Sequence, residues 1–212
     1  MIAALVVAFI GWRGSSSSES GSKNDYVFLQ EANGQPVTYS SCKQVRVAVY
    51  PANGPSDAVD LVSEAITTLR SATGLDIVLA GAYGGHAPNW NFTSAPFTPD
   101  DPVAISWQDP EAIPRLSGDT VGLGGSSILD GANGNRHRVA GTIALDREAY
   151  QRFNARGAHS LEVAIILHEF GHVLGLGHAK SPDEIMYRRA GALRLGAGDL
   201  EGLRRVGHGP CV

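Results

Sequence analysis

Apolar residues recur along the chain with two different periods, and their alternation outlines an α/β order. Val45, Val47 and Val49 alternate with Arg46, Ala48 and Tyr50, the two-residue period of a strand with one buried face. Pro51 and Gly54 end that run. Ala58, Leu61, Val62, Ala65, Ile66, Leu69 and Ala72 then recur at helical spacing, which predicts a helix begun by Ser56 or Asp57 and ended by Gly74. Ile77-Val78-Leu79-Ala80 is a continuous apolar run, as expected of a strand buried on both faces. Strand, helix and strand in this order imply a parallel pair joined by a crossover helix. Val103 to Trp107, Val121 to Ile128 and Val139 to Leu145 read as further strands, with Asn133-Gly134 as a hairpin signal before the last. A helix then runs through Ser160, with Leu161, Ala164, Ile165, Ile166 and Leu167 as its core anchors. A last short helix starts at Asp199 and includes Leu200, Leu203 and Val206. The Gly-, Pro- and Asn-rich stretch from Gly81 to Asp101 reads as a long loop, and loops of that length are usually functional or mobile.

Two stretches of different character precede this pattern. Residues 1–12 are almost wholly apolar, but a membrane-spanning helix needs about 20 such residues. A signal-peptide core, the end of an anchor whose start is truncated and a buried strand are all open readings. An export segment with a misplaced start is preferred. Gly14 to Ser22 is Ser- and Gly-rich, the composition of a flexible tether. The expected organisation is an apolar export or anchor segment over 1–12, a linker over 13–38 and one folded domain over 39–212.

Composition adds little against this. The 212 residues, 43% hydrophobic and 18% charged, suit one globular domain with an extension. A net charge of −4 gives no sign of a nucleic-acid partner. Cys42 and Cys211 flank the expected domain and would bridge in an oxidising compartment. Two unpaired thiols are the alternative.

The chemistry concentrates in His168-Glu169-Phe170-Gly171-His172-Val173-Leu174-Gly175-Leu176-Gly177-His178. Histidines four apart on a helix share one face, so His168 and His172 can reach one ion. His178 joins them only if the chain turns back, and Gly175 stands where a left-handed turn is needed. Three neutral imidazoles with an open fourth position are the ligand set of a catalytic zinc. Glu169 is offset from His168 along the helix. It is expected to face water in the cleft as a general base, without ligating the ion.

This H-E-x-x-H-x-x-G-x-x-H pattern resembles the metzincin zinc peptidases and is most similar to their matrixin branch. Glu184-Ile185-Met186-Tyr187 looks like the methionine turn that such enzymes place beneath the metal, with Met186 as the structural floor. The resemblance implies an α/β fold of the α+β zincin-like kind. That is a twisted, mostly parallel five-stranded sheet with an antiparallel edge strand, an active-site helix and a C-terminal helix. It also implies a zinc-dependent endopeptidase with one catalytic zinc, acting on a peptide or protein substrate. Val121, Gly122, Leu123 and Gly124 stand in the edge strand that would bind an extended peptide by strand addition. Tyr187 is either a packing residue or part of the substrate pocket. A non-catalytic zinc-containing peptide-binding module on the same scaffold is the rival reading.

The chain departs from the matrixin pattern at several points. It lacks the upstream H-x-D pair of a structural zinc, and His86 and His137 are the only histidines before the helix that carries the motif. Calcium, common in that family, has one weak candidate in Asp130 to Asn135, which a plain polar turn explains equally well. Ala179 follows the third histidine, and Arg188 and Arg189 follow the Met-Tyr pair. These changes bear on specificity rather than on the zinc. His159 and His208 read as surface residues, and the Asn91-Phe92-Thr93 sequon is expected by chance. The expected location is extracellular, secreted or tethered to the outer face of the membrane, and the expected state is a monomer.

Overall fold

The computed structural model describes residues 22–84, 98–131 and 135–212. The apolar segment, His86, the Asn91 sequon and the Asn133-Gly134 turn lie outside the described residues. A small hairpin comes first, β1 (Glu31–Ala32) and β2 (Gln35–Pro36). Strands β3 (Val45–Tyr50), β4 (Ile77–Ala82), β5 (Val103–Gln108), β6 (Gly122–Asp130) and β7 (Arg136–Asp146) form the main sheet. Helices are α1 (Ala58–Thr73), α2 (Arg147–Asn154), α3 (His159–Leu174) and α4 (Ala197–Gly207), with a short 3₁₀ turn over Pro114–Leu116.

The main sheet has the order β4-β3-β5-β7-β6. β3 pairs in parallel with β4 and β5, β5 in parallel with β7, and β6 alone runs antiparallel against β7. The expected mostly parallel five-stranded sheet with an antiparallel edge is what the chain forms. α1 begins after Asp57 and ends at Gly74, whose φ of +74° is the left-handed stop. Its Leu61, Val62, Ala65 and Leu69 are fully buried against the sheet core. α3 packs over β6 and β7, beside α1 and α2.

Two expectations need correction, and one helix was not anticipated. β4 is not buried on both faces: it is the outer strand, and Leu79 is 37% exposed. A continuous apolar run does not by itself reveal whether a second neighbour strand exists. The helix entering the zinc motif is α3, as expected, but a separate helix that was not anticipated, α2, precedes it. Asp146 caps α2 by accepting from the Ala149 N–H, Tyr150 and Phe153 fill the core, and Gly157 at φ +64° turns the chain into α3. The later part of the stretch placed in the linker is packed, from Asp25 onward. Asn33 and Gly34 take positive φ in a tight hairpin turn, and Val37 and Thr38 are buried.

Cys42 and Cys211 form a disulfide with Cα atoms 5.1 Å apart, closing a loop of sequence separation 169. Cross-linking so long a loop can stabilise by up to about 5 kcal/mol in the chain-entropy picture. Cys42→Ser should therefore lower the melting temperature by several degrees while leaving metal content unchanged. Thermal melts with metal analysis of the same samples check this.

Candidate metal centre

The site is built on the C-terminal half of α3, where one helix face turns toward β6. His168 and His172 are buried, at 5% and 1% exposure. Gly175 then takes φ +112°, and its N–H returns to the Gly171 and His172 carbonyls. The Leu176 N–H also reaches the Gly171 carbonyl at 2.8 Å, so the helix closes tightly and the chain doubles back. His178 is thereby brought to the other two rings. A nitrogen from each of the three lies within 4.8 Å of the others.

Two of these rings are aimed by hydrogen bonds on their far side. His168 Nδ1 meets the Ile185 carbonyl at 2.6 Å, and His172 Nδ1 meets the Leu176 carbonyl at 2.7 Å. A carbonyl only accepts, so each Nδ1 carries the proton. Each Nε2 is left with a lone pair, and the two Nε2 atoms stand 3.1 Å apart. Two acceptor nitrogens that close repel unless a cation lies between them. His178 Nε2 is buried without a hydrogen-bond partner. Three convergent imidazole lone pairs fit a zinc ion.

Burial also sets protonation. His168 is pushed down to about 4 by desolvation, against a partial lift from the Ile185 carbonyl. His178 falls to about 4 through desolvation, with His168 and Arg188 adding repulsion. Desolvation holds His172 well below the ordinary imidazole range. All three are neutral near pH 7, the form in which imidazole ligates metals.

The methionine turn lies beneath. Met186 is 2% exposed, and a Cβ on Gly171 would stand 2.2 Å from its sulfur. Only glycine at 171 lets the turn approach this closely. Asp199 holds the turn from the other side, accepting from the Ile185, Met186 and Gly196 N–H groups at 2.5, 3.1 and 2.9 Å. Glu184 answers by accepting from the Gly198 and Asp199 N–H groups. Asp199 and Glu184 are residues the sequence analysis missed. Their only signal is acids placed at a turn and at a helix start.

Glu169 differs from the expected cleft residue facing water. It is fully buried, and its carboxyl is pushed up to about 8 by desolvation, only partly offset by the Gly124 N–H. Neither oxygen makes a full hydrogen bond. The cause is β6 lying directly on α3. A Cβ on Gly122 would stand 2.7 Å from Glu169 Oε1, and one on Gly124 would stand 2.2 Å from the Glu169 carbonyl oxygen. These glycines therefore let the edge strand close over Glu169, while Leu123 points away into a cluster with Ile113, Leu116 and Ala144. Val121 is buried in the main core. Tyr187 is half-buried, bridged to Ala179 through the backbone. It does not line the small cavity of about 10 Å³ beside His168 and Glu169, whose walls are Ala164, Ile165, Ile185, Ala190 and Ala192.

His137 lies apart from the metal centre. It borders a cavity of about 350 Å³ at the starts of β3, β5 and β7, which none of the three clustered histidines lines. His159 is a surface residue paired with Glu64 at 2.8 Å. His208 is exposed in the tail.

A profile of the Matrixin family matches residues 90–206. The chain is 34% identical over 83 residues to a putative matrix metalloproteinase of Trichoplusia ni ascovirus 2c, a stretch covering 34% of this chain and 17% of that protein. It is 35% identical over 66 residues to human matrix metalloproteinase-25, covering 31% of this chain and 12% of that protein. The chain thus matches less than a fifth of the length of these relatives. Among solved structures it is similar to an archaemetzincin of Methanopyrus kandleri, with TM-score 0.42, 14% identity and coverage of 76% of this chain and 86% of that one. It is also similar to metalloproteinase-II of Bacteroides fragilis, with TM-score 0.40, 15% identity and coverage of 82% and 54%.

The depressed imidazoles make metal-free stability depend on pH. His168 and His178 titrate near 4 in the fold and near 6.5 when unfolded. The unfolded chain therefore takes up protons first as pH falls. The stability these groups carry is complete above about 6.5 and is lost progressively down to about 4. Chelated protein should lose more melting temperature between pH 7 and pH 4.5 than chelated His178→Asn does, measured by parallel thermal scans. Equal losses would remove His178 from the account.

Proposed function

The chain belongs to the matrixin family of metzincins, and from that premise we propose that it is a zinc-dependent endopeptidase. The observation that carries this reading is the pair of Nδ1-to-carbonyl hydrogen bonds that turn the His168 and His172 lone pairs toward one point. His178 completes the ligand set, and Glu169 is the general base. Zinc bound there would supply a Lewis acid that polarises the scissile carbonyl and lowers the pKa of the attacking water.

The remaining work falls to the chain's own groups. Glu169 accepts the proton of the attacking water and passes it to the leaving amine. Two opposing influences would poise it: burial raises its pKa to about 8, and a cation bound by the three neutral imidazoles would favour the carboxylate. Among the described residues β6 has a strand neighbour on one side only, so its outer N–H and C=O groups are available to an extended peptide. Val121 to Gly124 would align the substrate through their backbone, with Gly122 and Gly124 admitting the strand close to Glu169. Met186 supports the ligands from below. Tyr187 is better read as packing than as a pocket wall.

The disulfide between Cys42 and Cys211 supports an extracellular or otherwise oxidising location. Among the described residues no helix is long and apolar enough to cross a membrane. A membrane tether would lie in residues 1–12. The substrate is a peptide or protein and the working unit a monomer.

Glu169→Gln tests the mechanism while keeping the buried side chain's volume. Zinc content should be unchanged, because the carboxylate is not a ligand. Peptide cleavage should fall by about 10² to 10⁴, the usual cost of losing a positioned acid–base group. Unchanged turnover would remove Glu169 as the base. Equal zinc with negligible cleavage by both proteins across a broad peptide library would favour a peptide-binding module.

A further inference from the structure

The three clustered histidines are not held alike. His168 and His172 are each fixed by an Nδ1 bond to a carbonyl. The His178 ring makes no hydrogen bond among the described residues, and its Nε2 is buried and unpartnered. Ligating histidines almost always have such a bond on the second nitrogen, which fixes the ring against rotation. The aim of His178 must therefore come from its backbone.

That backbone is clasped by the segment before the sheet. The Leu29 N–H donates to the Gly175 carbonyl at 2.8 Å, and the Gly177 N–H donates to the Val27 carbonyl at 2.7 Å. Phe28 bridges Leu176 between these two bonds. On the far side of His178, Asp25 accepts from the Lys180 N–H at 2.9 Å and from the Ser181 N–H at 2.6 Å. The Met186 carbonyl takes the remaining neighbour, the Ala179 N–H, at 2.9 Å. The clasp is itself pinned to α4. Arg205 lies over the Tyr26 and Phe28 rings at 5.6 and 5.2 Å from their centroids, and donates to the Tyr26 hydroxyl at 2.6 Å.

We propose that residues 25–29 are a positioning strap for the metal centre, fixing the third ligand through the backbone on both sides of His178. The strap touches neither zinc nor substrate. Asp25 is its key residue, because one carboxylate fixes two consecutive N–H groups two and three residues after the histidine. The proposal rests on the reading of the three histidines as a zinc site. Its consequence is that whatever displaces the chain at residues 25–29 loosens the metal centre from a distance. A binding partner, a proteolytic cut or tension from the preceding segment would do so without any contact with the cleft.

A double-mutant cycle on the full chain tests it. Zinc affinity is measured by chelator competition for the parent, Asp25→Ala, His178→Asn and the double variant, with melting temperatures of the chelated proteins in parallel. Asp25→Asn, which keeps one acceptor oxygen and the side chain's shape, covers the case in which the alanine variant folds poorly. Asp25→Ala should weaken zinc binding about tenfold, within the range usual for loss of an outer-shell partner, and Asp25→Asn should weaken it less. Neither should weaken it further once His178 is gone. Equal losses in both backgrounds would show a general effect on the fold and overturn the strap. So would no loss in the parent. If His178→Asn itself left zinc affinity unchanged, the metal centre as read here would fail first, a result distinct from failure of the strap alone.

Discussion

Everything in this molecule depends on keeping three imidazoles neutral, close together and aimed at one point. Buried rings resist protonation, which supplies the neutrality without any acidic partner. Aim is the harder requirement, because nitrogen lone pairs facing one another at about 3 Å repel when no cation separates them. The surrounding structure supplies the opposing constraint. The helix end delivers the Leu176 carbonyl to His172, and the methionine turn delivers the Ile185 carbonyl to His168. Asp199 and Glu184 then fix that turn to the start of α4. The metal centre is thus assembled from α3, the doubled-back chain, the methionine turn and α4 together.

A second constraint acts across the cleft. β6 approaches α3 so closely that no side chain fits at residues 122 and 124. This contact dries Glu169 and raises its pKa, yet among the described residues leaves the outer edge of the strand without a neighbour. One arrangement therefore conditions Glu169 and presents the strand edge proposed for peptide binding. Arg138 ties the far end of the same sheet region to the N-terminal segment. It is buried, donates to the Val37 carbonyl at 2.9 Å and to Ser126 Oγ at 2.8 Å, and is also bonded to Gln30.

The parts legible in the sequence are those where one local rule decides. Fixed spacing marks His168, Glu169, His172, Gly175 and His178, because helix geometry and the left-handed stop act within a few residues. Period alone placed β3, α1 and β5. β4 misled because an apolar run states hydrophobicity and not the number of neighbouring strands. Residues 25–38 misled because the tether reading was carried past the Ser- and Gly-rich stretch over the apolar run Tyr26 to Leu29, while their attachment is made largely by backbone groups that any sequence possesses. Asp199, Glu184 and Arg138 were illegible for a related reason: their partners are 13 to more than 100 residues away. Gly122 and Gly124 were singled out for the peptide edge, but the closeness that requires glycine there is a three-dimensional fact about α3.

The central claim is that His168, His172 and His178 bind one zinc ion through Nε2 and leave a position open. Zinc K-edge absorption spectroscopy on the protein as purified reads ligand number and type directly. The account predicts one zinc per chain with three imidazole nitrogens and one further light-atom ligand, all at about 2.0 to 2.2 Å. A sulfur ligand near about 2.3 Å, a fourth imidazole in place of the open position, or a chain that takes up no zinc would contradict it.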